Sequence, residues 1–522
     1  MKRVSLFSVL IVIVLALAGC SVMMPFDVID TEQPGINLPE MDKSYYNDLS
    51  YQEGLILVRP KSMDKLDEIL ADIGSSEIKR WEGIEWAQIT VPAEETVLSF
   101  MEKINQREDI LFSEPVLQYE VPPFTVEEDP RIGDPPSYRV LDIHNEIEAE
   151  YYDSLWGMRQ INVEPVWENI TTGTQNVIVA IVDTGVKIDH EEFTGINFVG
   201  AFDATTGGDD VTDYNGHGTH VMGTAVSDGR SGKLAGVAWD TSVMPVKAMD
   251  MEGLIWTSYL VDAMKYIGDY ARDNDVSIVV NMSIGGRGYS LAFKDAIDYA
   301  AGEGVLLVTS AGNAYKRVLS YPGAYNGVLS VGATDPKGEK AEFSTEGWWN
   351  SVAAPGEKIL SAYIGFSDEG IIDDYAFLQG TSMAAPHVTG AVALLLSHLG
   401  PMDPVEIITR VQMTAAGDHF TEQFGYGILD VYALLTGVVE QKYGSLHVSS
   451  DVVYGLITVF DEGGNMVYFG ATGEDKTHHF HAVYPGEYEV TLSYNYQIRD
   501  RATVEVIIGE ETQVNLIAFP EN

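Results

Sequence analysis

The chain has 522 residues, of which 45% are hydrophobic and 21% charged, and it contains a single cysteine. This composition is typical of a globular protein and excludes a wholly disordered chain, a collagen-like repeat and a disulfide scaffold. The formal net charge of −47 repels phosphate backbones, so no nucleic-acid partner is expected. At about 150 residues per domain, the length allows about three domains.

An apolar run near the N-terminus predicts an export signal over residues 1–19. Two basic residues precede the run Val4–Ala18, which ends in the sequence LAGC at Cys20. The run is short for a membrane span but suits the apolar core of a signal peptide. LAGC resembles the lipobox of bacterial lipoproteins. Cys20 is therefore the expected lipidation site and the only expected membrane contact, and an ordinary secretory signal is the alternative.

The next segments predict a tether, a small folded domain and a linker. Residues 20–50 mix Pro, Asp, Glu and Ser without periodicity, as tethers do. Residues 51–120 have the order β-α-β-β-α-β, which predicts an α+β (ferredoxin-like) domain. Its predicted elements are Leu55–Arg59, Met63–Ile73, Glu77–Trp81, Trp86–Val91, Glu94–Gln106 and Ile110–Tyr119. The proline-rich, acidic residues 121–153 predict an exposed linker.

Residues 154–440 alternate short apolar strands with helices, which predicts an α/β domain with a parallel sheet buried on both faces. The predicted strands are Val177–Val182, Ser242–Ala248, Ile278–Met282, Val305–Thr309 and Val328–Val331. The predicted helices are 217–227, 257–273, 291–302 and 383–399. Residues 444–522 contain short alternating runs between glycine-containing turns, which predicts a small C-terminal β-sandwich.

Three motifs of the α/β domain lie at strand ends or helix starts, where open α/β sheets place their sites. They are IVDTG with Asp183, NGHGTH with His217 and GTSMAAPH with Ser382. A hydroxyl needs a general base, normally histidine, to act as a nucleophile near neutral pH. That histidine needs a buried carboxylate to orient it and to stabilise its charged form. The three residues therefore predict a Ser-His-Asp hydrolase with the chain order Asp, His, Ser.

With VDTGV, NGHGTHVMGT and GTSMAAPHVTG in this order, residues 155–435 resemble the subtilisin-like serine proteases (subtilases). The resemblance implies a parallel-sheet subtilisin-like domain and an endopeptidase that cleaves polypeptide substrates through an acyl-enzyme on Ser382, without a cofactor. It also implies that Asp183 orients His217, which acts first as base and then as acid. Asn313 in TSAGN matches the family's oxyanion asparagine, which acts beside the backbone N–H of Ser382.

The resemblance also implies a substrate cleft with two walls. Their residues are Ser283, Ile284, Gly285 and Gly286 on one side and Ser310, Ala311 and Gly312 on the other. Glycines there allow a peptide to add as a strand, so main-chain hydrogen bonds supply much of the affinity. The cleft motifs contain no acidic selector for basic side chains, so we expect an apolar or permissive preference.

The flanking segments fit a proenzyme. Residues 51–120 resemble a subtilase propeptide, an intramolecular inhibitor, and processing is expected within 121–153. Such a cut would separate Cys20 from the protease domain. A propeptide that stays bound, a protease released to the medium and a chain that is not cleaved all remain open. Residues 444–522 resemble transthyretin-like β modules only in short, common patterns.

Metal binding and a second function are left open by the sequence. Many subtilases bind calcium at the loop that corresponds to Ser227–Leu234, but Arg230 and Lys233 are unsuitable neighbours for a cation, so structural calcium has no assigned site. Zinc at His478, His479 and His481 lacks a further partner with recognisable ligand spacing, so packing roles are favoured. The alternative function is a non-catalytic surface lipoprotein that binds a partner through the β module.

Overall fold

The computed structural model describes residues 46–127, 154–437 and 444–519, apart from short gaps at 368–369, 418–419, 453–454, 465, 473–475, 484 and 495–496. The predicted signal peptide, Cys20 and most of the predicted tether lie outside the described residues. Residues 128–153 of the predicted linker lie outside them as well.

The N-terminal domain is an antiparallel sheet covered by two helices, which confirms the predicted α+β fold. Its strands are β1 Tyr51–Pro60, β2 Glu77–Trp81, β3 Trp86–Thr90 and β4 Ile110–Glu120, and its helices are Leu66–Ile73 and Val97–Ile104. The second helix begins later than predicted because Thr96 caps it, accepting a hydrogen bond from the backbone N–H of Ser99. Tyr46, from the end of the predicted tether, is buried in the same core.

The central domain is built on an eight-stranded sheet in which every pairing is parallel. The path order is β14-β13-β12-β11-β6-β9-β7, with β8 beside β9. The strands are β6 Val177–Asp183, β7 Asn197–Phe198, β8 Phe202–Asp203, β9 Ser242–Lys247, β11 Ser277–Met282, β12 Leu306–Ser310, β13 Leu329–Thr334 and β14 Val352–Pro355. All seven residues of β6 are buried, as expected for a strand covered on both faces.

Helices cover both faces of this sheet. They are Trp156–Gln160, Glu164–Asn169, His217–Val226, Thr257–Asn274, Leu291–Gly302, Thr381–Leu399, Pro404–Thr414 and Val431–Thr436. The helix Thr381–Leu399 is long and apolar enough to cross a membrane by composition, but 83% of its apolar window is buried inside the protein. It is therefore a core helix, and its small residues allow close packing against the helix His217–Val226.

A β-hairpin that the sequence analysis missed lies beside the start of the helix Thr381–Leu399. Its strands are β15 Ile359–Ser367 and β16 Gly370–Gln379. A third strand, β5 at Thr125–Glu127, pairs with β16. Residues 121–127, at the start of the predicted linker, lie against the central domain, where Val121 and β5 form backbone hydrogen bonds with it, although Pro123, Thr125 and Val126 remain exposed.

The N-terminal domain is fastened to the central domain by backbone pairing and buried carboxylates. Strand β10 (Leu254–Trp256) of the central domain extends the N-terminal sheet by pairing with β4. Glu114 on β4 accepts hydrogen bonds from Ser290 Oγ at 2.6 Å and from the N–H of Leu291 at 2.8 Å, at the start of the helix Leu291–Gly302. Complete burial raises the pKa of Glu114 to about 7, although these hydrogen bonds favour its charged form.

Two ion pairs reinforce the same interface. Arg59 of the N-terminal domain pairs with Asp295 of the central domain, and Trp86 Nε1 donates to that carboxylate at 2.7 Å. Lys79 of the N-terminal domain forms the second ion pair, with Asp262 of the central domain. Burial raises the pKa of Asp295 to about 6, with the charge of Arg59 opposing the shift. The N-terminal domain therefore covers carboxylates that would otherwise face water.

The C-terminal domain is a small β-sandwich, as predicted. One sheet has the order β20-β17-β23 and the other β19-β18-β21-β22. The strands are β17 Gly444–Ser450, β18 Leu456–Phe460, β19 Met466–Ala471, β20 Thr477–Val483, β21 Gly486–Tyr494, β22 Gln497–Val506 and β23 Glu511–Leu516. Leu446 and Val448 of the first sheet pack against Ile457 and Val490 of the second in one apolar core.

Candidate active site

Asp183 and His217 form a buried hydrogen-bonded pair. Asp183 is the last residue of β6, and His217 begins the helix His217–Val226 after Gly216, whose φ of +95° favours glycine. His217 Nδ1 donates to Asp183 Oδ1 at 2.7 Å, and neither side chain is exposed. This bond fixes the imidazole with its Nε2 as the free reactive nitrogen.

A second carboxylate, which the sequence analysis missed, positions this pair. Asp213 is fully buried, and its Oδ1 accepts hydrogen bonds from Thr184 Oγ1 and from the N–H of Gly216, both at 2.9 Å. Its Oδ2 accepts from the N–H and Oγ1 of Thr219 at 3.0 and 2.7 Å. Asp213 thus joins the end of β6 to the start of the histidine helix. The only sequence signal was an acid two residues before the NGHGT motif.

Ser382 lies in the first turn of the helix Thr381–Leu399 and is fully buried. Ser283 Oγ donates to its carbonyl oxygen at 2.9 Å, which joins the serine to one predicted cleft wall. Among the described residues, Ser382 Oγ and His217 Nε2 have no hydrogen-bond partner. The Asp–His bond is therefore formed in this state of the protein, whereas the Ser–His bond is not.

Asn313 is oriented by the residue that precedes the serine. Its Oδ1 accepts hydrogen bonds from Thr381 N at 2.9 Å and Thr381 Oγ1 at 2.8 Å. The amide nitrogen is thereby directed into the cleft, where Nδ2 donates to the carbonyl oxygen of Pro123 at 2.7 Å. Thr381 Oγ1 also accepts a hydrogen bond from the N–H of Gly312 at 3.1 Å. This hydroxyl therefore connects the segment that contains Asn313 to the start of the helix that contains Ser382. The role of Thr381 was not predicted from the sequence.

The first predicted cleft wall contacts the last residues of β4 in the N-terminal domain. Gly285 and Glu120 exchange two backbone hydrogen bonds of 2.9 and 3.0 Å. A Cβ at Gly286 would lie 2.2 Å from the ring of Tyr119, so this close approach requires glycine. Val121 N donates to the carbonyl of Gly253 at 3.0 Å on the opposite side. Residues 119–121 therefore occupy the cleft as the middle strand, which is how a peptide is expected to bind.

The second predicted wall supports the first rather than facing the bound segment directly. Ser310 Oγ donates to the carbonyl of Ile284 at 3.2 Å, and both residues are fully buried. Ala311 N donates to the carbonyl of Val331 at 3.0 Å within the sheet. The structure thus brings all predicted cleft residues together, with Gly285 and Gly286 in contact with the bound segment.

Two other buried histidines, His220 and His387, have structural partners. His220 Nε2 lies 3.0 Å from the carbonyl oxygen of Ile359 and 3.1 Å from that of Ala376. Complete burial, assisted by the nearby His217, lowers the pKa of His220 to about 3. His387 Nδ1 lies 2.8 Å from the carbonyl oxygen of Met383, and burial lowers its pKa to about 4. Both imidazoles are neutral at pH 7.

The carboxylates beside the loop Ser227–Leu234 are bonded to side chains of the protein. Lys233 Nζ pairs with Glu191 Oε1 at 2.6 Å, and Tyr375 OH lies 2.8 Å from a carboxyl oxygen of Glu191 and 2.8 Å from one of Glu192, so it can donate to either of them. Ser231 Oγ donates to Glu192 Oε1 at 2.5 Å. Burial raises the pKa of Glu192 to about 7, since the hydrogen bonds offset only part of the lost hydration. An ammonium group therefore lies where this loop would offer carboxylates to a cation.

The fold, the buried Asp–His pair and the serine at a helix start define the class of serine endopeptidases. A model of the subtilase family matches residues 174–427, and a model of the fervidolysin N-terminal prodomain matches residues 44–115. Fervidolysin from Fervidobacterium pennivorans is 31% identical over 543 aligned positions, which cover 94% of this chain and 76% of that protein. Subtilisin DY from Bacillus licheniformis is 36% identical over 264 positions, which cover 49% of this chain and 90% of that protein.

The structural comparison agrees. The crystal structure of fervidolysin, described as a keratinolytic enzyme related to subtilisin, matches with a TM-score of 0.73 at 27% identity over 90% of this chain and 78% of that chain. The chain belongs to the subtilase family of serine proteases and carries a fervidolysin-type prodomain.

Proposed function

We propose that the protein is an exported proenzyme whose nucleophile is Ser382, with His217 as general base, Asp183 as its orienting partner and Asn313 in the oxyanion hole. The observation that carries this proposal is the Pro123 carbonyl, which accepts a 2.7 Å hydrogen bond from Asn313 Nδ2. A peptide carbonyl bound by an amide donor beside a helix-borne serine is the arrangement that acyl transfer needs.

The proposed reaction uses one proton carrier in both halves. Ser382 Oγ attacks the peptide carbonyl carbon while its proton passes to His217 Nε2, and Asp183 stabilises the imidazolium. The negative charge on the carbonyl oxygen is stabilised by Asn313 Nδ2 and the N–H of Ser382. The C–N bond then breaks as His217 returns the proton to the leaving amine. Water repeats these steps on the acyl-enzyme, which releases the carboxylic acid and restores the serine.

The segment 119–127 acts in this proposal as an inhibitor bound in the manner of a substrate. Pro122 and Pro123 have no N–H, so this part of the segment forms fewer main-chain hydrogen bonds than an ordinary substrate. The ring of Phe124 packs against His217 with 5.0 Å between ring centroids. Because Ser382 Oγ and His217 Nε2 make no hydrogen bond in this state, we infer slow cleavage at the Pro123–Phe124 bond, whose carbonyl Asn313 already binds.

The cut prodomain is expected to remain attached for a time. Glu114, Asp295 and Asp262 lie in the interface, and each has a prodomain–enzyme hydrogen bond or ion pair. This attachment resolves the difficulty that a cut would separate the lipid anchor from the enzyme. Cys20, in the sequence LAGC, would hold the complex at the cell surface or in the periplasm until the prodomain dissociates. The released protease would then enter the medium.

We further propose that the loop Ser227–Leu234 needs no calcium. The ion pair of Lys233 with Glu191 and the hydroxyl donors on Glu192 supply the positive charge and hydrogen bonds that a cation would bring. The domain would then be stabilised at this loop by its own side chains.

Labelling with a serine-reactive phosphonofluoridate tests the proposed nucleophile. The processed enzyme should gain one label, which peptide mass analysis should locate on Ser382. Ser382→Ala and His217→Ala should not be labelled, whereas Ser397→Ala, on the same helix, should be labelled normally. A processed wild-type chain that takes up no label would favour the alternative of a non-catalytic surface lipoprotein. Mass analysis of the N-terminal peptide for acyl chains on Cys20 tests the anchor.

A further inference from the structure

Three metal-ligand side chains lie together on the outer face of the C-terminal sheet β20-β17-β23. His447 is on β17, His479 on β20 and Glu511 on β23, so each strand contributes one of them. His447 and His479 are direct antiparallel partners. Glu511 is paired with Ser445, two residues before His447, and therefore shares its face. Leu446 and Val448 point to the opposite face, into the apolar core.

The nitrogen and oxygen atoms of these side chains converge on one point. His479 Nε2 lies 2.8 Å from His447 Nδ1 and 2.8 Å from Glu511 Oε2. One ligand atom from each residue can be chosen so that all lie within 4.8 Å of one another. Ligands bound to one tetrahedral ion at about 2.0–2.1 Å lie about 3.3 Å apart. Small side-chain rotations at this partly exposed position are sufficient to reach that geometry.

Hydrogen bonding alone does not account well for this arrangement. A ring nitrogen carries at most one proton, so His479 Nε2 can donate fully to only one neighbour. If it donates to Glu511, it has no in-plane lone pair left for a proton from His447. An ion between the three groups would accept a lone pair from each of them at once. The exposed side of the cluster leaves room for a water molecule as a further ligand, because 36% of the His479 side chain and 46% of that of Glu511 is accessible.

We propose that His447, His479 and Glu511 bind one divalent transition-metal ion of the zinc type. Two imidazoles and one carboxylate suit Zn²⁺, Cu²⁺ or Ni²⁺, whereas Ca²⁺ and Mg²⁺ prefer sites made of oxygen ligands. Of His478, His479 and His481, which the sequence analysis considered as zinc ligands, His479 belongs to the proposed site. His478 is buried and lies 3.0 Å from Asn326 of the protease domain through its Nε2.

The ion would join three strands that are distant in sequence. His447 and His479 are 32 residues apart, and His479 and Glu511 are another 32 apart. A ligand that binds only the folded state stabilises it by mass action, and closing such loops restricts the unfolded chain. The site is thus a structural clamp on the β-sandwich, and it is separate from the proteolytic centre.

Zinc binding by the full-length proenzyme tests the proposal, with Ser382→Ala in the background to prevent self-cleavage. Equilibrium dialysis against ZnCl₂ should give one saturable equivalent per chain, unaffected by excess Ca²⁺. His447→Ala and His479→Ala should remove it, and Glu511→Gln should weaken it about tenfold or more. His398→Ala, at an exposed helix end in the protease domain, should leave it unchanged. Equal zinc uptake by wild type and the His447→Ala/His479→Ala double variant would overturn the proposal.

A measurement on the unsubstituted cluster keeps the proposal testable if the variants misfold. Co²⁺ added to the same proenzyme should produce the intense visible absorption of a four-coordinate nitrogen–oxygen site, and Zn²⁺ should displace it. The thermal unfolding of the β-sandwich should also shift upward with Zn²⁺. A spectrum of aqueous Co²⁺ alone, without a thermal shift, would contradict the clamp.

Discussion

The ring of Phe124 packs directly on the imidazole of His217, with 5.0 Å between the ring centroids. One residue earlier, the Pro123 carbonyl is bound by Asn313, and one residue later β5 begins its pairing with β16. The chain that follows the prodomain therefore engages the proposed base and oxyanion donor in consecutive residues. Self-inhibition and self-cleavage consequently depend on the same few contacts.

Replacing Phe124 with alanine should speed the first self-cleavage. Without the ring, His217 is free to approach Ser382 Oγ, so the missing Ser–His hydrogen bond can form. The rate should be measured as loss of intact proenzyme by mass spectrometry. Val126→Ala is the matched control, since Val126 lies on the same segment with 44% of its surface exposed. Slower cleavage in Phe124→Ala than in Val126→Ala would show that the ring promotes catalysis instead of blocking it.

Asn313→Ala should lower kcat by about 10²–10³ with little change in KM, which is the loss known for one such donor in subtilisin. Thr381→Val should lower kcat in the same direction, because Thr381 Oγ1 donates to Asn313 Oδ1 at 2.8 Å. Thr381→Ser keeps the hydroxyl and should recover most of the activity. Peptide hydrolysis by the processed enzymes measures all three. A wild-type kcat in Thr381→Val would show that the Thr381 hydroxyl is not needed to orient Asn313.

Prodomain release should become easier as the pH rises from about 4.5 to about 7. Burial raises the pKa of Glu114 to about 7, so the complex retains a proton that the released prodomain loses. The protonated Glu114 carboxyl group stabilises the complex fully below its ordinary pKa of 4.5, and this stabilisation is lost as the pH rises through about 7. A shift of this size corresponds to about 3 kcal/mol, or a few hundredfold in the dissociation constant.

Glu114→Gln should flatten this pH dependence, because glutamine does not ionise. Size-exclusion chromatography of the processed complex between pH 5 and 8 measures the bound fraction. Glu68→Gln, an exposed carboxylate on a prodomain helix, should behave as wild type. An unchanged pH profile in Glu114→Gln would assign the effect to another group, such as Asp295, whose pKa burial raises to about 6.

Lys233→Met should make the loop Ser227–Leu234 sensitive to calcium. Burial raises the pKa of Glu191, but hydrogen bonds from Lys233 and Tyr375 lower it overall, so loss of the ammonium leaves uncompensated negative charge. We expect a Tm about 2–4 °C lower, the shift for about 1 kcal/mol in a domain of this size. Added Ca²⁺ should raise the Tm of the variant back to that of the wild type. Lys337→Met is the control, and a calcium-dependent Tm at this loop in the wild type would contradict the proposal.

The local parts of the site could be predicted from the sequence because they lie within motifs. Asp183 ends a fully apolar strand, and His217 and Ser382 each begin a helix within a glycine-containing motif. These features need only neighbouring residues. The element order of the α+β domain, and five strands and four helices of the central domain, were predicted for the same reason, since hydrophobic periodicity is a local property.

The missed features depend on contacts between distant segments. Asp213 joins a strand end to a helix start through buried hydrogen bonds, and a lone acid in a loop carries no sign of this. The prolines of residues 121–127 indicate a linker, but the position of this segment on the central domain depends on the pairing of the preceding residue Glu120 with Gly285 and of β5 with β16. His447, His479 and Glu511 meet only through the register of three strands.

In the proposed mechanism, Ser382 cleaves the chain that lies in its own cleft. The decisive experiment is the intact mass of the proenzyme and of Ser382→Ala, followed over time. The wild type should divide into a prodomain that ends at Pro123 and an enzyme that begins at Phe124, or is trimmed further within 125–153. Ser382→Ala should stay whole. Wild-type chains that remain intact and cleave no casein, or Ser382→Ala chains cut at the same bond, would contradict it.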